Sequence, residues 1–199
     1  MKNSLLSILL FLLTSSFLNA QETEKEVCIY NNSISHPFFD TIQWSYALGI
    51  SRDSLGNWHE DYDGVISETD TIKQIHTASC KRDSIDWYTI RFCDAKISND
   101  TLILFIHDFT PSTNDNLIIK IYNNELLSSY WTAYPNLIDE EIKWETNKCN
   151  LTLNKQNYKK GDTLLGIIEF ECFEKIHSPS GVNNRGLITI KGAIKTNIK

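Results

Sequence analysis

The closing stretch LITIKGAIKTNIK, residues 187–199, decides the fold class. Ile188, Ile190, Ile194 and Ile198 fall on one side of an extended chain, with Thr189, Lys191, Lys195 and Asn197 on the other. A period of two with one oily side is what a strand buried on one face requires. The same alternation occurs at Gln43–Ser51, where Trp44, Tyr46, Leu48 and Ile50 share a side, and at Asp86–Asp94, through Tyr88, Ile90 and Phe92. Leu102–Ile106 is apolar throughout, which predicts a central strand covered on both faces.

Between these runs stand Asn, Asp, Gly and Ser, the turn formers of a sandwich or barrel. Leu126, Leu127, Tyr130, Trp131 and Tyr134 also fit a helical spacing, with Asn124 as N-cap and Pro135 as stop. Serines and aromatics in that segment favour instead the return strand of a hairpin that turns at Asn123–Asn124 after Leu117–Tyr122. The expectation is an all-β, immunoglobulin-like antiparallel sandwich of about 9 to 11 strands with no long helix. It forms a single domain over residues 27–199. Asp108–Asn116 and Ser178–Gly186 read as long polar loops.

The first twenty residues read as a removable export signal: Lys2, then an apolar run over Leu5–Leu13, then Ser15, Ser16, Asn19 and Ala20. That run is about half of the roughly 20 apolar residues a membrane span needs. The expected cut is Ala20–Gln21, followed by a disordered tail over residues 21–26. The mature chain then lacks a transmembrane segment and is periplasmic or secreted. Net charge is −6 overall, and basic residues do not cluster, which argues against nucleic acid as a partner.

Export makes the five cysteines (Cys28, Cys80, Cys93, Cys149 and Cys172) candidates for pairing. Cys149–Asn154 and Thr163–Phe173 flank the turn-like Lys159–Asp162. A fold between Lys160 and Gly161 sets Leu153 against Ile168, Leu151 against Phe170 and Cys149 against Cys172. Every inward rung is then apolar, so the pattern predicts proximity of Cys149 and Cys172, and a disulfide if they oxidise. The partners of Cys28, Cys80 and Cys93 are left open.

Trp144, Thr146, Leu151, Leu153, Lys155, Tyr158, Lys160, Gly161, Asp162, Gly166, Ile168, Phe170 and Cys172 form a W-x-T…L-x-L-x-K-x-x-Y-x-K-G-D…G-x-I-x-F-E-C segment. It resembles a group of exported bacterial β-sandwich proteins to which no activity is attached. The I-x-I-K-G-x-x-K-T ending over Ile188–Thr196 is similar as well. The resemblance implies the sandwich fold and no chemistry.

No nucleophile elbow, zinc helix, phosphate loop or dinucleotide fingerprint occurs, and the histidines are scattered, so no cofactor, metal or catalytic residue is assigned. The most suggestive cluster is Asn57–Gly64. Asp61 and Asp63 echo part of a calcium loop but lack its remaining ligands, and Trp58 beside the acids of the same segment would suit a sugar platform. Trp58, His59, Asp61 and Asp63 are therefore the candidate ligand contacts. The function expected is that of a non-enzymatic exported envelope protein binding a protein or a glycan. Its alternatives are an immunity or inhibitor protein against an exported toxin or hydrolase, and a hydrolase with an unrecognised site.

Overall fold

The computed structural model describes residues 26–61, 65–83, 88–109, 114–133, 141–177 and 183–199. The stretch expected to be an export signal, the expected cut and residues 21–25 lie outside these, as do Asp63 and parts of both polar loops. Among the described residues, no helix is long and apolar enough to cross a membrane.

The protein is an all-β sandwich. One sheet has six strands: β1 (Glu26–Tyr30), β12 (Glu141–Leu153), β13 (Thr163–His177), β14 (Asn183–Asn197), β6 (Ala78–Arg82) and β7 (Thr89–Ile90), in that order across it. The other runs β11 (Glu125–Ala133), β10 (Asn114–Tyr122), β9 (Thr101–Phe109) and β8 (Phe92–Ser98). Two short ribbons complete the set, β2 (Trp44–Ser45) with β5 (Gln74–Ile75), and β3 (Ile50–Arg52) with β4 (Trp58–Glu60). Fourteen strands among the described residues exceed the nine to eleven expected, because these ribbons are too short to carry a periodic signal.

The inner faces of the two sheets supply one core. Phe170, Leu151, Ile168, Ile190 and Ile194 come from the six-stranded sheet, and Leu104, Ile106, Leu117 and Ile119 from the four-stranded one. Full burial of each such side chain is worth about 1.5–3 kcal/mol. The expected alternation in the last strand is present: Ile188, Ile190, Ile194 and Ile198 are all buried. The hairpin expected at Asn123–Asn124 is present too, as Tyr122 pairs with Glu125 across it. Both asparagines have positive φ (49° and 67°), the conformation that two-residue hairpin turns demand. Asn99 and Asp100 do the same between β8 and β9, at 49° and 59°.

Several expectations are corrected. The alternation expected through Tyr88, Ile90 and Phe92 breaks at Arg91, where the chain passes from β7 in one sheet to β8 in the other: Tyr88 and Ile90 are buried, while Phe92 faces outward and Cys93 inward. Gln43–Ser51 is not one strand, because the chain turns between β2 and β3 and Gly49 adopts φ 74°. Glu26, placed in the tail by its charge, opens β1, and its carboxylate accepts bonds from the backbone N–H and hydroxyl of Ser128 on the edge of β11. That contact occupies a backbone donor that an edge strand would otherwise present to a second chain. β9 is central but covered on one side only: Leu102, Leu104 and Ile106 are buried, whereas Ile103 and Phe105 are half-exposed on the outer face.

The last correction concerns Cys149 and Cys172. Cys149 stands across from Phe170, Leu151 from Ile168 and Leu153 from Gly166, so the register is two residues away from the one expected. A two-residue shift keeps every side chain on its own face, which is why the apolar pattern could not detect it. Gly166 fits opposite Leu153 because a Cβ there would lie 3.2 Å from a Leu153 methyl. A bulge at Asn147 then sets Cys172 against Thr146. All five cysteines are free thiols.

Burial pushes the Cys80 and Cys149 thiols up to about 12 and Cys172 to about 11. Thiolate is the reactive form, so these side chains are inert in the folded protein. Iodoacetamide at neutral pH is therefore expected to modify only the half-exposed Cys28 at an appreciable rate, and all five after denaturation. Intact mass should not change on reduction. Fast native labelling of Cys80 or Cys93 would contradict the packing.

Candidate functional site

The tip that the sequence singled out is organised by a residue outside that cluster. Asp53 accepts bonds from the backbone N–H of Leu55 and of Asn57 and from the Asn57 amide, and its carboxylate lies 3.1 Å from His59 Nε2. The His59 contact, followed by the Asn57 bonds, holds the Asp53 carboxyl well below the usual range. Gly56, at φ 92°, closes the turn. Trp58 is half-buried, with the Arg52 guanidinium 5.2 Å from its centroid and the Tyr46 ring packed edge-on at 4.8 Å. Trp58 and His59 are neighbours on β4, so they point to opposite sides. Asp61 is exposed, and its N–H donates to Gly49 O. The structure thus does not bring Trp58, His59 and Asp61 together on one surface, and Asp63 lies outside the described residues.

A larger constellation lies on the outer face of the four-stranded sheet. Alternation puts Ile103, Phe105 and His107 of β9 outward, beside Phe92 and Asp94 of β8 and Ile118 of β10. Phe105 stacks on His107 at 4.5 Å, and Phe92 lies 5.9 Å from the same imidazole. Ile103, Phe105 and Ile118 line an open groove of about 460 Å³, with Asp94, Lys96 and Lys199 around it. Lys199 pairs with Asp94 and, with His107, holds that carboxyl below its ordinary value. Leu127 (65% exposed) and Trp131 (41%) extend the apolar surface across β11, and Phe109 (62%) extends it along β9. The matching region of the six-stranded sheet is different. There Phe38 and Phe39, in a short 3₁₀ turn, pack with Ile34, Leu165, Ile167 and Ala193, so the chain covers its own apolar surface.

The interior holds a polar rung that sequence reading missed. Asp108, Asp115 and Thr132 stand side by side on β9, β10 and β11, facing inward, and none is more than 2% exposed. Arg91 grips Asp108 with two guanidinium bonds of 2.7 and 2.8 Å. Asp115 accepts the hydroxyls of Tyr88 (2.6 Å) and Tyr130 and lies 3.2 Å from Arg82 Nη1. Both acids fall inside the presumed loop Asp108–Asn116. The available signal was parity: Asp115 continues the inward series Leu117, Ile119, Ile121. Each carboxylate is already engaged by an arginine, an arrangement that ties the sheets together.

The chain matches no protein-family model, no curated protein and no solved structure.

Proposed function

We propose that this protein is a non-enzymatic, exported envelope protein that holds a protein partner against the outer face of its four-stranded sheet. The observation that carries the reading is the groove lined by Ile103, Phe105 and Ile118 with charges of both signs around it. A dry apolar centre inside a polar rim is the anatomy of a protein interface, and large apolar patches left on a surface usually mark one. Export rests on the leader read from the sequence, which would deliver this surface to the envelope or beyond. An immunity or inhibitor role is the special case in which the partner is an exported toxin or hydrolase.

The test is crosslinked capture from the cell envelope with the wild-type protein and with Ile118→Lys and Leu127→Lys, two outward-facing changes that leave the core intact. A specific partner retained by wild type and lost by both variants, at unchanged thermal stability, is the expected result. Equal capture by all three proteins would remove the reading.

A further inference from the structure

The end of the sandwich formed by the β8–β9 and β10–β11 turns carries a second site, which shares no lining residue with the groove on the sheet face. We propose that the cleft between the β8–β9 turn, the β10–β11 turn and the segment after β12 binds a neutral saccharide, as a free sugar or the end of a glycan.

The cleft encloses about 410 Å³ and is lined by two kinds of surface. Ile97, Leu102 and Ile121 supply aliphatic side chains, suited to the C–H face of a sugar ring. Around them stand the amides of Asn123, Asn124, Gln156 and Asn157, the Asp100 carboxylate, and the phenols of Tyr30 and Tyr158. An amide offers a donor and an acceptor side by side, which matches a sugar hydroxyl that is itself both. A volume in the range of roughly 300–1,000 Å³ is usual for small-molecule sites.

Several of these groups are held in place before any ligand arrives. Asn123 and Asn124, like Asn99 and Asp100, are fixed in left-handed turns of minimal length. Gln156 Nε2 donates to Asn124 Oδ1 at 2.8 Å and the Tyr30 hydroxyl to the same oxygen at 3.3 Å. Both bonds land on Oδ1, so the Asn124 NH2 and the Gln156 carbonyl oxygen are the groups left to meet a ligand. Tyr158 is held by its bond to Asn154 Oδ1 (2.7 Å) and by Lys155 Nζ 5.1 Å from its ring centroid. A lining fixed in advance lowers the ordering cost of binding, the term that usually defeats weak polyol ligands.

Charge narrows the class. Among the described residues, the lining carries one formal charge, on Asp100, and no cation. Burial raises both phenols, Tyr30 to about 12, so they stay neutral across the physiological range, and with each O–H already donated to an asparagine their oxygens are left as acceptors for a sugar hydroxyl. A phosphate, sulfate or sialic acid would meet a carboxylate with no counter-charge, whereas an uncharged ring meets only hydrogen-bonding groups and aliphatic carbon.

The experiment is chemical-shift titration of the purified protein with free glucose, galactose, mannose, N-acetylglucosamine, lactose, maltose and cellobiose, and with sialyllactose as the charged counterpart. Saturable shifts confined to the two turns and to residues near Gln156 and Tyr158 are expected for at least one neutral sugar. Asn124→Gly, which keeps the left-handed turn, and Gln156→Ala, on an exposed side chain, should each weaken that binding about tenfold at unchanged thermal stability. Absence of saturable shifts with every neutral sugar would overturn the proposal. So would preference for sialyllactose, or binding that both variants retain.

Discussion

Gly192→Ala is expected to be among the most damaging single-methyl additions in the protein. A Cβ at this position would lie 2.1 Å from the Ser79 carbonyl oxygen and 2.5 Å from the Cys80 Cα. These are backbone atoms of β6, paired with β14 through Gly192↔Cys80, so no side-chain rotation can relieve the clash. β6 would have to move, and it carries the buried Ala78, Cys80 and Arg82. Overpacking a core costs about 1–3 kcal/mol where side chains can yield, and a backbone clash belongs at or above the top of that range. For a chain of this size, about 3 kcal/mol corresponds to a fall in Tm of roughly 6–12 °C. Gly186→Ala is the control: it lies in the same strand, and its Cβ would meet only a Glu174 carboxylate oxygen at 3.7 Å. Thermal unfolding of the two variants should separate them clearly. Equal, small shifts would show that β14 and β6 are further apart than described.

Asp115→Ala is expected to cost about 3–5 kcal/mol, the usual penalty for breaking a buried ion pair from one side. The loss has two parts. The guanidinium of Arg82, buried at 8% exposure, gives up the partner on the opposite sheet, although its bond to Asp83 at 3.1 Å survives. The hydroxyls of Tyr88 and Tyr130 lose an acceptor they share. Asp115→Asn should cost less, because an amide oxygen can still accept from a tyrosine. Combining Asp115→Ala with Tyr130→Phe should cost less than the two changes summed, since both remove the same bond. Urea unfolding of the four variants, Tyr130→Phe alone included, measures these differences. A loss below about 1 kcal/mol for Asp115→Ala would mean that the rung contributes little to joining the sheets.

Fold class was legible from alternation alone, and where alternation is long the strands follow it, as at Ile188–Ile198. Its blind spot is equally specific. A period of two fixes which residues face inward but leaves register open in steps of two, and Cys149 therefore met Phe170 instead of Cys172. Turn chemistry settled register where it was explicit, at Asn123–Asn124. The polar-lined cleft at that end was hidden because its members come from four separate segments, from Tyr30 to Tyr158. The sheet-face groove was hidden for a different reason. The apolar run Leu102–Ile106 reads the same whether a second layer covers it or a partner does, and only the packing shows that Ile103 and Phe105 face outward.

The parallel pairing of β1 has a consequence in time. Residues 26–30 form the first strand among the described residues, yet their partners, residues 149–153, are made more than a hundred residues later. Long-range closures of this kind are slow. While the chain awaits β12, Cys28 and the other thiols stand unprotected, and in an oxidising compartment a mispaired bridge could form before the core closes over them. Refolding yield from denaturant should consequently rise when a reductant is present at the start, and should be indifferent to one added after folding is complete.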